Sequence, residues 1–280
     1  MKKILLYFLL LTSFSQAQLL YQISGNGLTK ASYLYGTIHI LPKDQFELSN
    51  SLKRAFDDSK TIVMEVDLDM SGAEKIALAQ KVLLPDGKTL KDFMEAQDYT
   101  QLKMYCIDSL KWSENKFERS SKLKPMFFSS ILIQESMSDM ASYEMEFNKM
   151  AKKKHKETIG LETLDFQLNL FDQLPMQTQV DMLKQDYNSD MKVYDTLLAC
   201  YLKEDLETLS VLMAAETADY PEFNQILLVQ RNQSWIAPMS DQMQKESTFF
   251  AVGAGHLNGP EGIIALLRSN GYTVTAIKQN

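Results

Sequence analysis

Two segments of this chain have the same outline: an apolar, β-branched or aromatic run enters a glycine, and a histidine follows three residues later. The first is Tyr33-Leu34-Tyr35-Gly36-Thr37-Ile38-His39, and the second is Phe249-Phe250-Ala251-Val252-Gly253-Ala254-Gly255-His256. Each leads into a helix-like stretch (49–59 and 261–269) and then a second strand-like run (61–66 and 272–277). A glycine at a strand end lets the backbone turn sharply and approach a ligand. If both units lie in one parallel sheet, both histidines emerge at the carboxyl ends of their strands, where open α/β sheets bind their ligands. The expected fold is therefore α/β, with a mixed, largely parallel sheet made from two strand-Gly-x-x-His-helix-strand repeats.

Residues 68–246 break that pattern. The segments 68–84, 90–110, 125–154, 163–174, 177–203 and 206–218 show apolar residues every three to four positions, the spacing of helices with one buried face. A short strand is expected at 157–161, ending in Glu162-Thr163 where a helix begins. This predicts one domain over 18–280 with a large helical insert at about 68–246. Met126, Met137, Met140, Met145 and Met150 fit helical core filling, or a soft apolar groove.

The first seventeen residues read as a cleavable secretory leader: Lys2 and Lys3, an apolar run over 4–11, and Ser15-Gln16-Ala17 as a small-x-small cleavage site before Gln18. The apolar run is too short to span a membrane, so a periplasmic or secreted protein is expected. The net charge of −7, with no basic tract, makes nucleic acid and anionic membrane poor partners. Two cysteines, Cys106 and Cys200, specify no disulfide framework.

Four side chains fall at strand ends: His39, Glu65, Glu162 and His256. Two imidazoles with one or two carboxylates make the ligand set of a catalytic divalent-metal site, and zinc, manganese or cobalt would accept it. A carboxylate not used as a ligand would serve as general base. Arg231, on a helix otherwise apolar on one side, either points at these carboxylates, to orient them or stabilise an oxyanion, or forms a surface salt bridge. His155, within Lys152-Lys153-Lys154-His155-Lys156, reads as a solvated helix end. The sequence has no Gly-x-Ser-x-Gly elbow, phosphate-binding glycine loop, His-Glu-x-x-His helix or Cys-x-x-Cys pair.

Five motifs in this order resemble the TraB/PrgY/GumN family, related to the Tiki proteases: Tyr35-Gly36-Thr37-Ile38-His39, Val63-Met64-Glu65, Gly160-Leu161-Glu162-Thr163 with Gln167, Arg231-Asn232, and Val252-Gly253-Ala254-Gly255-His256-Leu257 with Gly259 and Gly262. The resemblance runs from about Leu19 to the C-terminus. It implies a secreted or periplasmic metal-dependent hydrolase acting on a peptide or protein substrate, with His39 and His256 as motif histidines, Glu65 and Glu162 as motif acids, and Arg231 as the motif arginine. It also implies two alternatives: a protein that sequesters a peptide or haem-like ligand without turnover, and, through erythromycin-esterase-like relatives, a metal-free esterase with a histidine base. Where many members resembling this chain carry an aspartate, Glu144 stands here. Its longer reach leaves it outside the expected site.

Overall fold

The computed structural model describes residues 18–135, 139–188 and 192–280. The expected leader and Met137 lie outside the described residues. The strands are β1 (Leu20–Gly25), β2 (Ser32–Thr37), β3 (Leu41–Pro42), β4 (Thr61–Val66), β5 (Met140–Ala141), β6 (Glu157–Glu162), β7 (Thr248–Gly253) and β8 (Tyr272–Ala276). Six of them form one sheet in the order β6-β4-β7-β2-β1-β8, while β3 and β5 form a separate two-stranded ladder.

The large sheet is mixed and mostly parallel, as expected. β2 pairs with β7, β7 with β4 and β4 with β6, all parallel, and β1 alone runs against both neighbours. Thr37 lies opposite Gly253, and Val66 opposite Glu162. The carboxyl ends of four adjacent strands therefore share one edge of the sheet. β4 and β7 are buried along nearly their whole length, which explains why they read as continuous apolar runs rather than alternating ones.

An aromatic layer covers part of the sheet. Phe56 from the helix Asn50–Asp58 and Tyr143 and Phe147 from the helix Tyr143–Lys154 pack with Tyr35 and Phe249 at ring separations of 5.1–6.0 Å. Burying each such side chain contributes roughly 1.5–3 kcal/mol relative to exposure. The helices Gln230–Lys245 and Ile263–Ser269 add Trp235, Met239, Ile263 and Leu267 to the same core. A second apolar cluster, with Trp112, Phe117 and Phe128 at its centre, joins the helical segments. Cys106 belongs to this second cluster and Cys200 packs on the first, and both are free.

Several expected helices are shorter or divided. The segment 125–154 contains two helices, Pro125–Glu135 and Tyr143–Lys154, separated in part by β5, which pairs with β3. Ser142 accepts from Met145 N–H and starts the second helix there. The segment 68–84 is helical only over Gly72–Lys81, because Ser71 and Glu74 close a capping box. The segment 90–110 holds the helix Ala96–Met104 followed by a π-turn. The helix Glu114–Ser120 lay outside every expected segment. His155 caps a helix end in a left-handed conformation and is exposed.

The two motif glycines differ in purpose. Gly36 lies inside β2, where a Cβ would come within 2.9 Å of Leu257 and 3.2 Å of the Ala254 Cα. Its bareness admits the turn that carries His256. Gly253 instead turns its bare face to the candidate site.

Candidate active site

The shared sheet edge delivers Glu65 from β4, Glu162 from β6 and the Gly253 amide from β7. A single 3-10 turn, Ala254–His256, then brings His256 over that edge. Opposite, the helix Gln230–Lys245 presents Arg231, Asn232 and Trp235 on buried positions. Before it runs a π-turn, Gln225–Val229, and the Leu227 carbonyl accepts from Arg231 Nη1 at 2.9 Å.

Arg231 is buried, not a surface ion pair. Its Nε lies 3.1 and 3.0 Å from the two oxygens of Glu162, and its Nη2 lies 2.6 Å from Glu65 Oε2 and 3.0 Å from Glu162 Oε2. Nη1 reaches the Leu227 carbonyl and, at 3.2 Å, His256 Nε2. A guanidinium has five N–H donors; these hydrogen bonds engage Nε, both hydrogens of Nη1 and one of Nη2. Arg231 therefore links the two carboxylates, as one of the two expected orientations required.

Both carboxylates are held from other sides as well. Glu65 Oε1 accepts from Gly253 N–H at 2.7 Å, and Gln167 Nε2 bridges Glu65 and Glu162 at 3.2 Å each. Trp235 Nε1 donates to Glu162 Oε1 at 2.8 Å. Burial by itself would raise the Glu65 carboxyl, but the neighbouring histidines, Arg231 and the Gly253 amide outweigh it and hold it down at about 2. It is an anion at neutral pH.

The two histidines sit in unlike surroundings. His256 is 4 % exposed, with its ring centroid 4.5 Å from that of Trp235. Its Nδ1 is 2.6 Å from Asn232 Oδ1, and its Nε2 is 3.7 Å from Glu65 Oε1. Burial pushes its pKa down to about 4, so the ring is neutral. The His39 side chain is 71 % exposed, with Nδ1 3.1 Å from Glu144 Oε1. The hydrogen bond with Glu144 raises its pKa, and solvent around the ring weakens that effect.

A Cβ placed on Gly253 would lie 3.2 Å from Glu65 Oε1, 3.6 Å from His256 Cδ2 and 3.8 Å from His39 Nε2. Three side chains named from the sequence thus converge on one bare patch of backbone, and Glu162 and Arg231 adjoin it through Glu65. Among the described residues, however, no three or more His, Cys, Asp and Glu side chains are drawn together as a ready ligand shell.

Four further residues belong to this cluster. Glu144, expected to lie outside it, accepts from Thr37 Oγ1 at 2.6 Å and Ser142 Oγ at 2.9 Å and pairs with His39. The retained charge was the available signal, and the position of Glu144 in the first helical turn, two residues after the N-cap Ser142, brings it within reach. Gln167 and Asn232 stood in the motifs without a role, and Trp235 lies among the buried residues of the helix that carries Arg231. Along the same edge, a cavity of about 480 Å³ lies beside Glu162, with Met70, Leu78, Leu161 and Leu164 among its walls. No helix among the described residues is long and apolar enough to cross a membrane.

Comparison with known proteins bears on this cluster. The TraB/PrgY/gumN family model matches residues 19–276. Among curated proteins, the chain is similar to Metalloprotease TIKI1 of Danio rerio, 23 % identical over 87 % of this chain and 60 % of the relative. It is also similar to Metalloprotease TIKI2 of Danio rerio (24 % identical, over 87 % and 58 %) and of Xenopus tropicalis (22 %, over 87 % and 57 %). The chain thus spans about three-fifths of the length of these relatives. No solved structure matches it.

Proposed function

This chain belongs to the TraB/PrgY/gumN family, and on that premise we propose that it is a hydrolase that cleaves peptide bonds with a divalent cation held at the cleft. The carrying observation is the convergence of His39 Nε2, the His256 ring and Glu65 Oε1 on the bare face of Gly253. The similar proteins named metalloproteases support the same chemistry.

The donor set suits such an ion. Two imidazole nitrogens and a carboxylate oxygen are hard-to-borderline donors that zinc, manganese and cobalt accept, and a side chain at position 253 would intrude on the space between them. His39, His256 and Glu65 would hold the ion, His256 through Nε2 once Arg231 Nη1 gives up its contact with that nitrogen. Glu162, whose oxygens already accept from Arg231, Trp235 and Gln167, serves as the anchor of Arg231. A cation bound there supplies Lewis-acid polarisation of a substrate carbonyl and acidifies water.

The chain's own residues do the remaining work. Arg231 and the Gly253 amide keep Glu65 ionised and fixed in direction. Glu144 pairs with His39 Nδ1 and so turns Nε2 of that ring toward the bare face of Gly253. The cavity beside Glu162 receives part of the peptide chain next to the scissile bond. Residues 1–17 act as a leader removed after Ala17, so that the protein works in the periplasm or outside the cell. N-terminal sequencing of exported protein should then begin at Gln18.

A second mechanism has its own supporting observation. His39 and Glu144 form an exposed histidine–carboxylate pair, the arrangement of a general base in hydrolysis without a metal. Calorimetric titration of Mn²⁺, Co²⁺ and Zn²⁺ into wild type, His39→Ala and His256→Ala separates the two. Binding by wild type that both substitutions abolish supports the metal site. Cleavage by a wild type that binds none of the three ions supports the second mechanism.

A further inference from the structure

We propose that Asn232 is a positioning residue for His256, holding the imidazole in the tautomer with hydrogen on Nδ1 and so keeping Nε2 unprotonated, as an acceptor facing Arg231. Its consequence for catalysis rests on the hydrolase assignment above, whereas its geometry stands without it.

A neutral imidazole has one N–H, and His256 has two places to put it. With hydrogen on Nε2, the ring would face the Glu65 carboxylate at 3.7 Å, an attraction that favours this form. The same hydrogen would meet Arg231 Nη1 at 3.2 Å, donor against donor, because a guanidinium accepts nothing. With hydrogen on Nδ1, the ring donates to Asn232 Oδ1 at 2.6 Å, and Nε2 accepts from Arg231. Asn232 itself is not free to flip. Its Nδ2 donates to the Glu261 carbonyl at 2.8 Å and more weakly to the His256 carbonyl at 3.4 Å, which leaves only its oxygen for the ring.

Asn232 and His256 are 3 % and 4 % exposed, so little water competes for these bonds. Consecutive helix residues point in different directions, and here Arg231 and Asn232 use that divergence to hold the two ring nitrogens from two sides. An amide does this without adding a third negative charge beside Glu65 and Glu162. His39, at the exposed side of the cleft, is paired with a carboxylate, Glu144, instead.

The test reads the tautomer directly. Long-range ¹H–¹⁵N correlation spectra of chelator-treated protein near neutral pH, with His256 assigned by the signals lost in His256→Gln, report which ring nitrogen carries hydrogen. Wild type should show hydrogen on Nδ1. Asn232→Leu, similar in size but without an acceptor, should move it wholly or partly to Nε2, and Asn232→Asp should retain it on Nδ1. With metal restored, Asn232→Leu should lower kcat/KM for peptides by roughly 10–100-fold, as losses of groups that orient metal-facing histidines do, and Asn232→Asp should recover part of that loss. Hydrogen on Nε2 in wild type overturns the proposal, as does an unchanged tautomer in Asn232→Leu. If Asn232→Leu fails to fold, the wild-type and Asn232→Asp spectra still decide the matter. Because the spectra need neither metal nor substrate, a wild type that cleaves no peptide sinks the hydrolase assignment and leaves the tautomer assignment standing.

Discussion

Arg231 lies between Glu65 and Glu162, 2.6 Å from an oxygen of the first and 3.1 and 3.0 Å from the two oxygens of the second, and all three side chains are at most 11 % exposed. A buried pair of carboxylates next to one guanidinium is held in balance. Removing the guanidinium leaves two desolvated anions facing each other.

Arg231→Met should therefore destabilise the protein by about 3–5 kcal/mol in urea denaturation, the usual cost of stripping one partner from a buried ion pair. Arg231→Lys keeps the charge but not the fork and should fall between Met and wild type. A loss below about 1 kcal/mol for Arg231→Met would mean that the carboxylates find other partners or take up protons.

The pH dependence of stability in metal-free protein follows from three groups. His256 titrates near 4 in the folded state instead of 6.5, so the unfolded chain binds its proton first, and stability is lost as pH falls from 6.5 towards 4. Glu65, at about 2 instead of 4.5, extends the loss from 4.5 towards 2. His39 is shifted upward by Glu144, so its contribution is present below 6.5 and fades as pH rises above it, weakly because the ring is exposed. Thermal melts from pH 2 to 9 should show greatest stability near about pH 6.5. His256→Gln should flatten the window between 6.5 and 4, and an unchanged slope there would contradict the assignment of that window to His256.

His39 and His256 were legible in the sequence because each local signal is short, an apolar run, a glycine and a histidine, and Glu65 and Glu162 because each closes an apolar run, whereas the direction of Arg231 on its helix was left open. The mostly parallel sheet was legible for the same reason, since buried parallel strands read as unbroken apolar runs. Strand order was not, because β7 enters between β2 and β4 from far along the chain. Nor were the partners. Gln167 touches Glu65, Glu144 touches His39 and Trp235 touches Glu162 only after folding, across sequence separations of 73 to 105 residues. Helix boundaries failed where capping decided them, as at Ser71 and Ser142. There a single hydroxyl overrides several residues of suitable apolar spacing.

Gly253→Ala tests the space between the donors. Its backbone angles, φ −52° and ψ 136°, suit any residue, so alanine should fold with a stability change within about 1 kcal/mol. The added methyl would press on Glu65 Oε1 at 3.2 Å. Peptide hydrolysis should fall by at least about 10-fold, and unchanged kcat/KM would show that the bare face of Gly253 is not part of the site.

Glu144→Ala removes the acceptor for His39 Nδ1. It also orphans the buried Thr37 hydroxyl, so stability should fall by about 1–3 kcal/mol, while metal affinity or turnover should fall by roughly 10–100-fold. Calorimetry and steady-state kinetics on the same preparation check both. A variant with full affinity and full turnover would remove Glu144 from the site again.

Peptide hydrolysis by the purified chain, measured after exhaustive chelation and again after reloading with Mn²⁺, Co²⁺ or Zn²⁺, tests the cleft most directly. Metal content is determined on the same samples. The expected result is loss of cleavage on chelation and recovery with at least one ion at about one per chain, as a single three-donor site requires. Full cleavage by protein shown to be free of metal would contradict it, as would protein that binds metal tightly and cleaves nothing.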